Sequence, residues 1–173
     1  MRCFVAAWPD DATRTAVEKL LVQLGPDLPK ARPMQRRNLH MTLAFIGDID
    51  APAANEVAQA CDALAIDSFD WSIDCLGWFP RARVMWAGGE VNGPLESAVD
   101  SARKRLDRLS IGYDRKPFVP HVTLFRDVRR FDRSGPLEPG LPWHTAHVAL
   151  YAAVRDERGP LYRRVGAAEE PRA

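Results

Sequence analysis

The stretch Asn38-Leu39-His40-Met41-Thr42-Leu43-Ala44-Phe45 decides how this chain is read, because its chemistry returns as Val119-Pro120-His121-Val122-Thr123-Leu124-Phe125-Arg126. Both copies read His-x-Thr-Leu inside an apolar run. Side chains alternate between faces along a β-strand, so His40 and Thr42 share one face while Met41 and Leu43 turn toward a core. The same alternation groups His121 with Thr123. Each copy then offers an imidazole and a hydroxyl from a rigid strand, and two such strands can face each other across a cleft. With four His and five Thr in 173 residues, composition yields only about 0.01 accidental matches to this pattern. Two matches, each strand-like, form a specific signal.

The segments around the two copies also match. Residues 3–8 read as a strand, and Pro9-Asp10-Asp11 ends it and offers a helix N-cap. Ala16, Val17, Leu20, Leu21 and Leu24 recur at helical spacing, which predicts a helix over 12–24. A basic loop (29–38) leads into the first His strand, 39–46. In the second half, 84–88 reads as a strand, 95–109 as a helix, and 120–126 as the second His strand. Trp8 precedes His40 by 32 residues and Trp86 precedes His121 by 35. This order marks a diverged internal repeat with units near 3–46 and 84–126. It predicts an α+β fold: two antiparallel sheet/helix lobes related by a pseudo-two-fold axis around a central cleft, where pockets commonly form.

Between and beyond the repeats, a helix is expected over 52–65, and Phe69, Trp71, Ile73 and Cys75 alternate as a strand. Trp78-Phe79-Pro80-Arg81 reads as a turn. The Pro-, Gly- and charge-rich stretch 129–142 reads as a long surface loop, 144–154 as the last long strand, 161–165 as a short one and 167–173 as a frayed tail. A single domain over 1–166 is expected.

Composition is ordinary for a globular domain: 46% hydrophobic, 27% charged and a net charge of +1. Nucleic acid contact is therefore expected to be local, at an end or a single phosphate, rather than a broad cationic coat. Three Cys without CxxC spacing point to reduced thiols and a cytoplasmic setting. No signal-peptide layout precedes the first strand, and no apolar run reaches the roughly 20 residues of a membrane span.

Imidazole titrates near neutrality, so one His can accept a proton while another donates, an arrangement worth typically 10²–10⁴-fold per positioned group. A Thr hydroxyl beside each can bond a substrate oxygen. With Arg126 added, the space suits a tetrahedral oxyanion such as phosphate. Regular alternation turns Arg126 toward the core, whereas a strand end or a bulge after Phe125 redirects it to the site. No carboxylate pair, Gly-rich phosphate loop or HExxH accompanies the histidines, and two His fall short of the usual zinc ligand count. Neither a metal nor another cofactor is expected, and water or a ribose hydroxyl is a better nucleophile than Thr.

The two HxTL strands, the Arg2-x-Phe4-x-Ala6 start, Phe79-Pro80-Arg81 before Val84-Met85-Trp86, and Gly159-Pro160-Leu161-Tyr162 together resemble the two-histidine (2H) phosphoesterase superfamily. Within it the chain is similar to the RNA 2′,3′-cyclic phosphodiesterases, historically called 2′–5′ RNA ligases. The resemblance implies metal-independent opening of a 2′,3′-cyclic phosphate to a 2′-phosphomonoester. It also implies His40 as proton donor to O3′, His121 as the base that activates water, and Thr42 and Thr123 as holders of the phosphate oxygens. RNA 3′ ends or small cyclic nucleotides are the implied substrates, for a monomer with no obligate protein partner and no membrane association. Reversible 2′–5′ ligation and a non-catalytic nucleotide-binding module are the alternatives.

Other residues carry weaker signals. Phe45, Trp78, Phe79 and Phe125 are candidates for stacking on a base, Phe45 foremost, although aromatics at such spacing are more often core. Arg36, Arg37, Arg81 and Arg83 are candidate guides for an RNA end or simply a solvated basic face. His144 and His147 lack a Thr two positions on, and a structural role is the commoner one for such residues.

Overall fold

A computed structural model describes residues 1–62 and 68–166. Along them run β1 (Arg2–Pro9), α1 (Asp11–Leu24), β2 (Arg32–Pro33), β3 (Met41–Asp48), α2 (Ala51–Asp62), β4 (Asp70–Phe79), β5 (Val84–Gly88), α3 (Gly93–Arg108), β6 (His121–Arg126), β7 (Gly135–Asp156) and β8 (Gly159–Arg164). The expected helix end at 63–65 and the tail 167–173 lie outside the described residues. All three described α-helices start at a side-chain cap, α2 with Asp50 accepting the Ala53 N–H at 2.9 Å. Asp10 accepts the Thr13 N–H at 2.7 Å ahead of α1, and Asn92 accepts the Leu95 N–H at 3.0 Å ahead of α3.

The strands form one sheet in the order β1-β3-β6-β5-β4-β7-β8, with β2 on β6 and a further β1–β7 pairing. The 22-residue β7 serves both lobes. Its first part pairs with β4, its middle with β1, and its end with β8. Across the junction, β3 and β6 meet antiparallel at Met41 and Val122. Helices cover one face of the sheet: Val17, Leu20, Val57, Leu95 and Leu106 pack with Val5, Met41, Leu43, Val122 and Leu124 in the main core. The opposite face carries the His and Thr side chains.

Three expectations are corrected. Stretch 129–142 is largely strand rather than loop, since β7 begins at Gly135. Pro136 and Pro142 are tolerated because this part of β7 is paired on the β4 side, and a proline lacks only the donor that an edge need not supply. Trp78 and Phe79 end β4 rather than form a turn, paired to Met85 and Val84. The first His strand starts at Met41, so His40 stands just before it.

One packing detail fixes the floor of the second lobe. Gly77 and Trp86 are cross-strand partners, and the Trp86 indole lies flat over both Gly77 and Gly88. A Cβ on either glycine would overlap the indole ring. Gly77→Ala is therefore expected to displace Trp86 and cost about 1–3 kcal/mol by overpacking. Urea unfolding followed by Trp fluorescence checks this, and an unchanged midpoint would mean that the indole is not seated there.

Candidate active site

The Met41–Val122 pairing, carried one residue each way, sets His40 opposite Thr123 and Thr42 opposite His121. The two imidazoles occupy one diagonal of a four-residue patch and the two hydroxyls the other. Diagonal neighbours on a sheet stand about 7–8 Å apart, room for a phosphate between them.

Both strands then break register at the same place in the motif. Thr42 pairs with Ala6 but Ala44 with Val5, leaving Leu43 as an extra residue. Thr123 pairs with Trp86 but Phe125 with Met85, leaving Leu124 as an extra residue. Such a β-bulge reverses the alternation beyond it. Leu43 and Ala44 are both buried, as are Leu124 and Phe125, and the fifth residue after each His returns to the His face. That residue is Phe45 in one copy and Arg126 in the other. The redirecting bulge needed for Arg126 is present, one residue earlier than a bulge after Phe125 would be.

Ring nitrogens are oriented alike in both copies. His40 Nδ1–H donates to the Asn38 carbonyl and His121 Nδ1–H to the Val119 carbonyl, each at 2.7 Å. Each Nε2 is thereby left for the cleft. In the free protein His40 Nε2 accepts from the Thr42 hydroxyl at 3.1 Å.

Around His40 the wall is aromatic. Phe4 and Trp8 stack on its ring with centroids at 5.0 and 5.5 Å, and Tyr162 meets it edge-on at 4.9 Å. Tyr151 stacks on Trp8 at 4.1 Å, and His147 Nε2 lies 2.6 Å from the Tyr151 hydroxyl. Asn38, only 4% exposed, ties this wall together. Its amide donates to the Pro160 carbonyl at 2.7 Å and accepts the Tyr162 N–H at 3.2 Å, while its own carbonyl holds His40. Burial pushes the His40 pKa down to about 4; the Asn38 hydrogen bond opposes this, and the nearby charges of His121 and Arg126 add to it.

His121 is walled differently. Phe79 meets it edge-on at 5.1 Å and Trp86 lies at 6.0 Å. Burial lowers its pKa too, against the Val119 hydrogen bond.

The remaining candidates separate cleanly. Phe45 is 37% exposed, with the Arg2 guanidinium 5.1 Å from its ring centroid. Phe79 touches His121. Phe125 is core, and Trp78 is anchored by its N–H on the Val128 carbonyl. His144 forms an exposed pair with Asp70 at 2.6 Å, which raises its pKa, and borders a cavity of about 610 Å³ lined by Thr13, Trp71 and Trp143, away from the paired motifs. Asn38, Trp8, Tyr151, Tyr162 and His147 escaped the sequence as neighbours of the site. The pairing of Trp8 with His147 spans most of the chain and has no local signal. Among the described residues no group of three or more His, Cys, Asp or Glu is placed to hold a metal ion, and no helix is long and apolar enough to cross a membrane.

In fold, the chain is similar to the E. coli LigT structure complexed with 3′-AMP, with a TM-score of 0.81 at 24% identity over 95% of this chain and 94% of that one. In sequence, it is 29% identical over 141 residues to the E. coli RNA 2′,3′-cyclic phosphodiesterase, covering 76% of this chain and 78% of the relative. It is 25% identical over 173 residues to the Thermotoga maritima protein of the same name, covering 94% and 92%. Residues 8–86 match the family model described as LigT like Phosphoesterase. Over those 79 of the 173 residues the chain is similar to that family. The first HxTL copy lies within the matched span and the second beyond it.

A buried neutral imidazole makes the fold acid-sensitive. The folded-state pKa of His40, about 4, lies below the roughly 6.5 of an unfolded His. Its contribution is complete above about pH 6.5 and is lost as pH falls toward 4, because the unfolded chain takes up the proton first. Urea unfolding at pH 7 and pH 4.5 should show His40→Gln losing about 2–3 kcal/mol less than the wild type between those pH values. Equal losses would place His40 in a wetter setting than its rings imply.

Proposed function

We propose that this protein hydrolyses 2′,3′-cyclic phosphates at RNA ends or on nucleotides to 2′-phosphomonoesters, without a metal, using His40 and His121 as a proton-transfer pair. The observation that carries this reading is the diagonal patch: two imidazoles with both Nδ1–H groups tied to backbone carbonyls, and both Nε2 atoms left for one space. In an in-line displacement at phosphorus, the attacking and leaving oxygens lie on opposite sides. Imidazoles on opposite corners suit that requirement. His121 Nε2 takes a proton from water as its oxygen bonds to phosphorus, and His40 Nε2–H protonates O3′ as the P–O3′ bond breaks. Thr42 and Thr123 hydroxyls bond the non-bridging oxygens, Arg126 offsets their charge, and Phe45 offers a ring to the base. The names of the relatives and the 3′-AMP in the E. coli LigT complex support the same substrate class. We take the catalytic unit to be one bilobal domain over 1–166, acting as a monomer in the cytoplasm.

His40 is neutral at pH 7 in the free protein, so its proton must arrive with the substrate. An anionic phosphate raises the pKa of each imidazole beside it. The pH profile of kcat/KM, which reports the free enzyme, is therefore expected to peak at least about one unit more acidic than that of kcat, which reports the complex. Coincident optima would contradict this coupling.

An RNA ending in 2′,3′-cyclic phosphate, incubated with EDTA, tests the reaction itself. The expected product is the 2′-phosphate. His40→Ala and His121→Ala should each lose about 10²–10⁴-fold in kcat. Chelator-sensitive turnover, or turnover kept in either variant, would reject the mechanism.

A further inference from the structure

Four arginines that the sequence offers as guides for an RNA end are divided by the structure. Arg36 is taken up by Asp11 and Glu18, and Arg37 by Asp156. Arg81 and Arg83 stand exposed between β4 and β5, and neither has a carboxylate partner among the described residues. The Val128 N–H donates to the Arg83 carbonyl at 3.0 Å, and Trp78 Nε1–H donates to the Val128 carbonyl at 3.2 Å. These bonds dock the turn after β6 onto the turn before β5. Arg129, also exposed and without a carboxylate partner among the described residues, is thereby brought to the same end. Asp127, within this group, is engaged by Arg32 at 3.1 Å. The strip adjoins Arg126 at the reaction face, and Phe79, whose ring touches His121, lies two residues before Arg81.

The matching end of the other lobe, where β1 starts and β3 stops, has a different charge. Asp48 and Asp50 are exposed there, and the Asp114 N–H is bound to the Phe45 carbonyl at 2.8 Å. Arg2, the Met1 ammonium on the Ile49 carbonyl, and Lys116, paired with Asp114 at 3.0 Å, are the cations among them. A polyanion leaving the space between the histidines meets mixed, partly paired charges in one direction and arginines without carboxylate partners in the other. Fixed arginines along such a path attract backbone phosphates through charge and released counterions.

Resting on the cyclic-phosphate reading above, we propose that Arg81, Arg83 and Arg129 carry the backbone phosphates of the RNA chain that leads to the cyclic end. The enzyme is then selective for oligoribonucleotides over mononucleotides. A cyclic mononucleotide has no phosphate that reaches the strip, so it separates chain binding from chemistry.

The test uses the triple variant Arg81→Gln, Arg83→Gln, Arg129→Gln, with adenosine 2′,3′-cyclic phosphate and a short oligoribonucleotide ending in 2′,3′-cyclic phosphate. On the mononucleotide, kcat and KM are expected within about twofold of wild type, which also reports correct folding. On the oligonucleotide, KM is expected to rise about tenfold with kcat held. The slope of log(kcat/KM) against log[KCl] should become shallower by about 0.7 per phosphate contact removed. Wild-type KM and salt slope on the oligonucleotide would overturn the proposal, as would equal losses on both substrates. A wild-type enzyme that cleaves neither substrate would overturn the cyclic-phosphate reading, and this proposal with it.

Discussion

The structure turns on one backbone pairing, Met41 with Val122, where the two halves of the sheet meet. Side chains on a strand have a period of two, so a slip of one residue would send one imidazole–hydroxyl pair into the core and its apolar neighbours into the cleft. The core resists that slip: Met41, Leu43, Val122 and Leu124 are at most 1% exposed. Hydrophobic burial on the helix side thus fixes the registration of polar groups on the other side. Two imidazoles have no intrinsic attraction for each other, and their facing arrangement is imposed by the apolar residues between them.

The bulges at Leu43 and Leu124 extend this control. Without them Ala44 and Phe125 would share the face of the histidines, and Phe45 and Arg126 would point inward. Inserting one residue at the same point in both copies exchanges an apolar position for an aromatic ring in one lobe and a guanidinium in the other. The repeat thereby keeps its acid–base groups symmetric while the flanking groups differ. In the proposed reaction this symmetric scaffold offers a ring to the base at one end and a guanidinium to the charge at the other, as an asymmetric substrate such as a nucleotide requires.

These features show what local patterning can and cannot carry. The HxTL alternation, the spacing of α1 and the limits of β5 were readable because each depends on residues a few positions apart. The stretch 135–142 was misread because Pro136, Pro139, Gly140 and Pro142 signal a loop wherever both sides of a strand need pairing, and an unpaired side removes that requirement. The phase of Arg126 was readable only as a condition, since a bulge is set by the partner strand rather than by the bulged one. The aromatic wall of His40 was least legible. Tyr151 and His147 on β7 reach it through pairings with β1 more than a hundred residues distant, and Tyr162 follows on β8, the hairpin partner of β7.

The two histidines consequently differ in a way that the motifs do not. His40 is packed against Phe4, Trp8 and Tyr162 and clamped through Asn38 to the β7–β8 hairpin. His121 rests against Phe79 and a Trp86 seated on glycines, with its Nδ1 held by Val119, itself 43% exposed. Dry walls lower both pKa values, so the free site holds two neutral bases and lacks the proton that an acid–base pair must share. In the proposed reaction an anion between them restores it, because the charge that raises the imidazole pKa is the charge of the group to be cleaved. The apolar packing therefore makes protonation conditional on occupancy: a neutral molecule in the same space would leave both imidazoles uncharged and no donor for the leaving oxygen. In the proposed reaction, preference for phosphate rests on the hydrophobic wall as much as on Arg126.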